Sequence, residues 1–146
     1  MIVLLREWIE ENNNIPFIES VKEQMIDLYA QLSECKSIST NIFLHIIQKE
    51  FIFVKVNEYN EILGTITILL EQKIIHNGGM VAHVEDLVVD EVSRNQQIGK
   101  QLLEYAIVFA RQQKCYKIIL NCDEKVQGFY EKCGFQNKNK EMSIYF

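Results

Sequence analysis

The amino-acid sequence predicts an α/β (α+β) layered domain, a mixed, mostly antiparallel sheet flanked by helices, and three observations carry that reading. Residues 83–136 read in order as strand, cationic loop, amphipathic helix, strand and short helix. Two runs rich in β-branched and aromatic residues, Phe51–Val56 and 62–70, flank the polar NEYNE and read as an antiparallel hairpin. Ahead of them lie two stretches with apolar residues at helical spacing.

In chain order, residues 1–6 are expected to form a short strand, with residues 12–14 as the turn into the first helix. That helix is placed at about 20–32, because Ser20 and Glu23 have capping-box spacing and Val21, Met25, Leu28, Tyr29 and Leu32 share one side. A second helix at 40–49 is expected to bury Ile42, Phe43, Ile46 and Ile47, with His45 a structural residue between them. Strands should then predominate up to Val89. The 80–89 segment reads as a central strand whose His83, Glu85 and Asp86 face a cleft, since carboxylates buried without a task are costly. From Gly99 onward, Leu102, Leu103, Ala106, Ile107 and Ala110 pack a helix on the sheet and aim its N-terminus at that cleft. A strand at 116–121 follows, then a helix at 125–133 ended by a left-handed Gly134, and a last strand at 141–145.

With 146 residues and 48% hydrophobic content, the chain suits one domain over 1–146, able to bury roughly two-thirds of its unfolded surface. The net charge of −5 disfavours nucleic acid as a partner. It leaves room for an anionic small ligand, because Lys73, His76, Arg94, Lys100 and Lys117 can make a local positive pocket. The four cysteines show no C-x-x-C spacing, so neither a disulfide framework nor a metal site is indicated. The opening apolar run ends at Arg6, too short for a signal or a membrane span, so a cytoplasmic protein with no integral membrane segment is expected.

The loop from Arg94 to Lys100 carries two positive charges and no acid and opens directly into a helix. Free backbone N–H groups and the positive end of the helix dipole converge there, which suits a pyrophosphate. Three blocks then narrow the reading: KIIH at 73–76, HVEDLVV at 83–89 with the RNQQIGK loop, and CYKIILNCDEK with FYEKCGF between Cys115 and Phe135. Together they resemble the GNAT acyltransferases, and within them the branch that acetylates glucosamine 6-phosphate on the way to UDP-N-acetylglucosamine. The resemblance implies the acyl-CoA N-acyltransferase fold, acetyl-CoA as co-substrate, an amino-sugar phosphate as acceptor, no metal, and a homodimer.

Residue by residue, the resemblance lays the pantetheine arm along Leu87, Val88 and Val89. It wraps the pyrophosphate with Arg94, Asn95, Gln96, Gln97, Ile98 and Gly99, with Lys100 adding a charge. Tyr130, flanked by Glu131 and Lys132, matches the tyrosine whose hydroxyl approaches the cofactor sulfur, where it can hydrogen-bond or protonate the leaving thiolate. Glu85 and Asp86 would contact the sugar. Consecutive strand residues point to opposite faces, so both reach the amine only if a bulge intervenes. Glu85 is favoured, desolvated in the cleft, with a backbone carbonyl or water as the other candidate bases. Ser33, Lys73, Ile74, Ile75, His76, Tyr116 and Lys117 would meet the acceptor and its phosphate.

Three positions depart from the family pattern. Gln97 stands where a glycine is usual, Asn121 where an acid contacts the sugar, and the chain ends on Ile144, Tyr145 and Phe146 where a basic residue is common. Two other readings therefore stay open: acetylation of another small amine or a protein N-terminus, and a CoA-binding module that has lost turnover.

Overall fold

The computed structural model describes all 146 residues, Met1–Phe146. A five-stranded sheet runs in sequence order: β1 (Ile2–Leu4), β2 (Phe51–Val56), β3 (Ile62–Gln72), β4 (Met80–Val89) and β5 (Cys115–Leu120). The first three pairings are antiparallel and β4–β5 is parallel, the mixed sheet expected from the sequence.

Helices cover both faces. On one side α1 (Leu5–Glu11), α2 (Ile15–Tyr29) and α3 (Thr40–Lys49) enclose Trp8, Val21, Met25, Phe43, Ile47, Val54 and Val88. On the other, α5 (Ile98–Gln112) presents Leu102, Leu103, Ala106 and Ala110 to Ile66, Ile68, Ala82 and Val84. The alternation along β3 and β4 sorts side chains between these two cores. A short helical turn, α4 (Ile75–Gly78), joins β3 to β4, and α6 (Glu124–Lys132) follows β5. No helix is long and apolar enough to cross a membrane.

Several boundaries differ from the sequence reading. The first strand stops at Leu4, and the chain turns into α1, whose buried Leu5, Trp8 and Ile9 have the i, i+3, i+4 spacing of a helix too short to register. Residues 12–14 therefore separate two helices. The long helix α2 starts at Ile15, where Asn14 Oδ1 accepts the Phe17 amide at 2.9 Å and Pro16 occupies the first turn. Ser20 lies inside α2, and Leu32 lies beyond its end, exposed. In α3 only Phe43 and Ile47 are buried; Ile42 and Ile46 are exposed, as is His45, which takes no part in the core.

The expected last strand at 141–145 is absent: residues 135–146 have no regular structure, and Ile144 and Tyr145 are 82% and 94% exposed. The apolar tail pairs with neither open edge of the sheet, at β1 or at β5, and so gains no ladder of hydrogen bonds to hold it extended. Gly134 does adopt the left-handed conformation expected after α6, with φ +94°.

The placement of the α2 cap is directly testable. Asn14→Ala should destabilise the protein by about 1 kcal/mol, whereas Ser20→Ala should stay within about 0.5 kcal/mol of the parent. Urea unfolding of both variants checks this, and a larger loss at Ser20 would restore the later helix start.

Candidate active site

The site is organised by an irregularity in β4. Thr65 pairs with Val88 and Thr67 with Glu85, so Ile66 alone stands opposite Asp86 and Leu87. This is a bulge, and Asp86 adopts φ +49° to make it. On the opposite edge, β4 pairs with β5 only as far as Val84 with Leu120. The segment holding Leu87, Val88 and Val89 thus leaves its β5-side edge without a partner strand, and an extended amide-bearing chain can add there as a strand does.

The loop after β4 supplies a second feature. Asn95 and Gln97 both have left-handed backbone, with φ +65° and +62°. No amide from Asn95 to Lys100 has an acceptor within the chain, and α5 lacks a side-chain cap. A run of unpartnered N–H groups carrying two left-handed residues, at the positive end of a 15-residue helix, is an arrangement that suits an anion. Gln97 sits in a conformation that glycine adopts freely and a longer side chain adopts at a cost of roughly 1–2 kcal/mol. These residues fit the diphosphate of a coenzyme A thioester.

The charged side chains of this segment do less than expected. Arg94 folds back, donating from Nε to the Val89 carbonyl at 3.3 Å and from Nη2 to Gln31 Oε1 at 3.0 Å. Lys100 lies 3.7 Å from Glu104, both exposed, so it can swing to a phosphate. An anion placed here would meet chiefly backbone amides.

The helix α6 closes the crevice. A Cβ built on Gly99 would lie 3.5 Å from both the Phe129 ring and Val89, so the first turn of α5, the end of β4 and α6 meet at this point. Tyr130 packs between Phe129 and Phe135, with ring centroids 5.1 and 6.1 Å away. Burial, reinforced by Cys122 and Cys133, raises its phenol above the ordinary value, so it holds its proton at neutral pH. Burial likewise raises the Cys133 thiol. Glu131 is exposed and accepts from Gln127 at 2.7 Å, and Lys132 is exposed, so both lie outside the crevice's packing.

On the opposite face of β4, a cavity of about 390 Å³ lies between the sheet, α2, α3 and the segment joining them. Glu85 and Asp86 both line it, because the bulge cancels the alternation that would send them to opposite faces. Both carboxylates are exposed, so burial in this chain does not supply the desolvation expected for Glu85. Tyr29 and Thr67 share a hydrogen bond of 3.4 Å in the same wall, and burial raises the Tyr29 phenol. Asn121 is exposed just past β5, and Ser33 is exposed past α2 with its amide bonded to the Tyr29 carbonyl.

The residues expected around a sugar phosphate gather at the start of β4. His76 stacks on Tyr116 at 4.2 Å between centroids, with Lys117 Nζ 5.8 Å from the same ring. Lys73, however, is not free: it donates to Glu71 Oε1 at 2.5 Å. Ile74 and Ile75 are exposed, contributing apolar surface.

The sequence reading did not include Glu71, Thr67 or Tyr29 among site residues. Nothing in their local spacing marks them: the β3–β4 register sets Thr67 opposite Glu85 and Glu71 within reach of His83, and the packing of α2 on the sheet brings Tyr29 to Thr67.

Comparison with known proteins fits this architecture. A family model described as Acetyltransferase (GNAT) family matches residues 5–135. Glucosamine 6-phosphate N-acetyltransferase 1 of Dictyostelium discoideum is 37% identical over 124 residues, covering 85% of this chain and 73% of that protein. The enzyme of the same name from Oryza sativa subsp. japonica is 44% identical over 79 residues, 54% of this chain and 48% of its own. The chain thus spans about half the length of that plant relative and 58% of the Arabidopsis thaliana one. Among solved structures, glucosamine-6-phosphate N-acetyltransferase from Arabidopsis thaliana superposes with a TM-score of 0.82 at 33% identity, covering 88% of this chain and 93% of that one. With the sheet, the bulged fourth strand and the amide-lined loop in place, the chain belongs to the acetyltransferase (GNAT) family.

Proposed function

We propose that this protein transfers the acetyl group of acetyl-CoA to the amino group of glucosamine 6-phosphate, giving N-acetylglucosamine 6-phosphate and CoA. The observation that carries the reading is the bulged β4, which offers a free edge at 87–89 on one side of the strand and two acids lining a cavity just before it. The names of the relatives supply the acceptor.

Acetyl-CoA supplies an activated thioester, and the residues of this chain position it and manage protons. Amides from Asn95 to Lys100 hold the diphosphate, and the β4 edge at Leu87, Val88 and Val89 holds the pantetheine arm in line. Glu85, with Asp86 beside it, orients the amine and accepts its proton directly or through water. Nitrogen bonds to the acyl carbon as the carbon–sulfur bond breaks, and Tyr130 gives its proton to the departing thiolate. Asn121 hydrogen-bonds the sugar without adding charge. His76, Tyr116 and Lys117 meet the phosphate.

We further propose that the protein works as a homodimer in the cytoplasm. The outer edge of β5 is unpaired and the apolar tail 142–146 is exposed, so a second copy can cover both. Such a partner would also desolvate the acceptor site.

A second acceptor class has one observation in its favour: Met25, Ile26, Phe43, Ile46 and Leu69 make the cavity largely apolar. An amine with an apolar body would fit beside Glu85. Free-thiol release from acetyl-CoA, followed with glucosamine 6-phosphate, glucosamine, phenylethylamine and a lysine peptide, separates the possibilities. Release with the phosphorylated sugar alone is expected. Release only with another amine would replace the acceptor, and binding without release would leave a turnover-deficient module.

Two substitutions follow. Tyr130→Phe should lower kcat by about a hundredfold or more with coenzyme A affinity nearly unchanged, and, because burial raises the Tyr130 phenol, loss of rate through its ionisation should set in at higher pH than for an ordinary tyrosine. Lys117→Ala should raise KM for glucosamine 6-phosphate roughly tenfold and leave KM for acetyl-CoA alone. Steady-state kinetics checks both; an unchanged sugar KM would move the phosphate elsewhere.

A further inference from the structure

Val81, His83 and Glu85 alternate onto the face of β4 opposite α5, while Ala82 and Val84 enter the α5 core. Lys117 pairs with Val81, and His83 lies between Leu69 on β3 and Ile119 on β5. The order along this face is therefore Lys117, His83, Glu85. With about 7 Å between same-face residues, Lys117 and Glu85 stand on the order of 13 Å apart along the strand, with His83 at the midpoint. If the proposed function holds, phosphate and amine bind at the two ends, and the hexose ring passes over His83.

The imidazole is prepared for contact. Its Nε2 meets Glu71 Oε2 at 2.8 Å, and Glu71 also takes a hydrogen bond from Lys73 at 2.5 Å. Lys73 first, then His83, hold the Glu71 carboxyl below its ordinary range, so Glu71 accepts and Nε2 carries the hydrogen. Nδ1 has no partner in the chain. Stability does not account for the arrangement: pairs open to solvent to this degree contribute little, and the neighbours Leu69 and Ile119 show that an aliphatic residue would pack there.

We propose that His83, oriented by Glu71, is an acceptor-binding residue that hydrogen-bonds a ring hydroxyl or phosphate oxygen through Nδ1 and so selects a polyhydroxylated, phosphorylated amine. This rests on the function proposed above and adds a specificity determinant to it.

The test uses His83→Ala, His83→Asn and His83→Gln in the full chain. Asparagine keeps a polar group near the Nδ1 position, and glutamine keeps one near Nε2. His83→Ala should raise KM for glucosamine 6-phosphate about tenfold, with KM for acetyl-CoA within about twofold. His83→Asn should recover most of that loss and His83→Gln less. A purely structural hold on Glu71 would reverse the order of rescue or move both KM values together, and either result overturns the inference, as does an unchanged sugar KM in all three. Should His83→Ala fail to fold, the Asn and Gln variants alone decide by their order. If the parent does not acetylate glucosamine 6-phosphate, the proposed function fails first. Calorimetric titration of that sugar then reads His83 separately: weaker binding to the Gln than to the Asn variant supports the inference, and equal affinities or no binding to the parent refute it.

Discussion

The bulge at Asp86 and Leu87 is the constraint on which the site depends. An extra residue in one strand of an antiparallel pair bends that strand and increases its twist. Here it falls just past the last β4–β5 pair, Val84 with Leu120, so the edge beyond it runs on without a neighbour. The same residue returns Asp86 to the cavity that Glu85 lines. One backbone irregularity thus makes both a slot for an extended ligand and a pair of acids near its end. The cost is a non-glycine residue at φ +49°, tolerable for aspartate, whose short side chain visits the left-handed region more readily than most.

Beyond the slot, the proposed anion site is built from backbone. Arg94 is occupied by Val89 and Gln31, and Lys100 is shared with Glu104, so side-chain charge is a secondary contribution. What remains fixed is the run of unpaired amides held by left-handed Asn95 and Gln97. Asparagine suits that conformation and glutamine does not, so strain is concentrated at Gln97, where glycine is usual in the family. An acidic protein can still bind a diphosphate this way, since oriented amides act at hydrogen-bond range regardless of net charge.

Most of the sheet and the major helices were legible because their periodicities are long. The hairpin of β2 and β3, the apolar stripe of α5 and the turn at Gly134 follow from local pattern. The seven-residue α1 was not, since Leu5, Trp8 and Ile9 span little more than one turn and adjoin a strand-like run. The cap of α2 was misplaced because Ser20 and Glu23 imitate a capping box within a helix already begun at Asn14. The tail alternates like a strand but pairs with no strand of this chain, and whether a strand-like run finds a partner is not written in its local pattern. In the site, the roles of Glu85 and Asp86 hinged on a bulge that the sequence reading could only name as a condition. Glu71 escaped notice because its link to His83 is a diagonal across β3 and β4, visible only once the register is known.

The central claim is that backbone, at the β4 edge and in the loop ahead of α5, grips the thioester carrier. Amide-resolved NMR during titration with coenzyme A tests it most directly. The largest shifts are expected at the amides of Leu87, Val88 and Val89 and of Asn95 to Lys100, saturating together with one affinity. Saturable binding that leaves those resonances in place, or shifts confined to the β1–β2 side of the sheet, would contradict it.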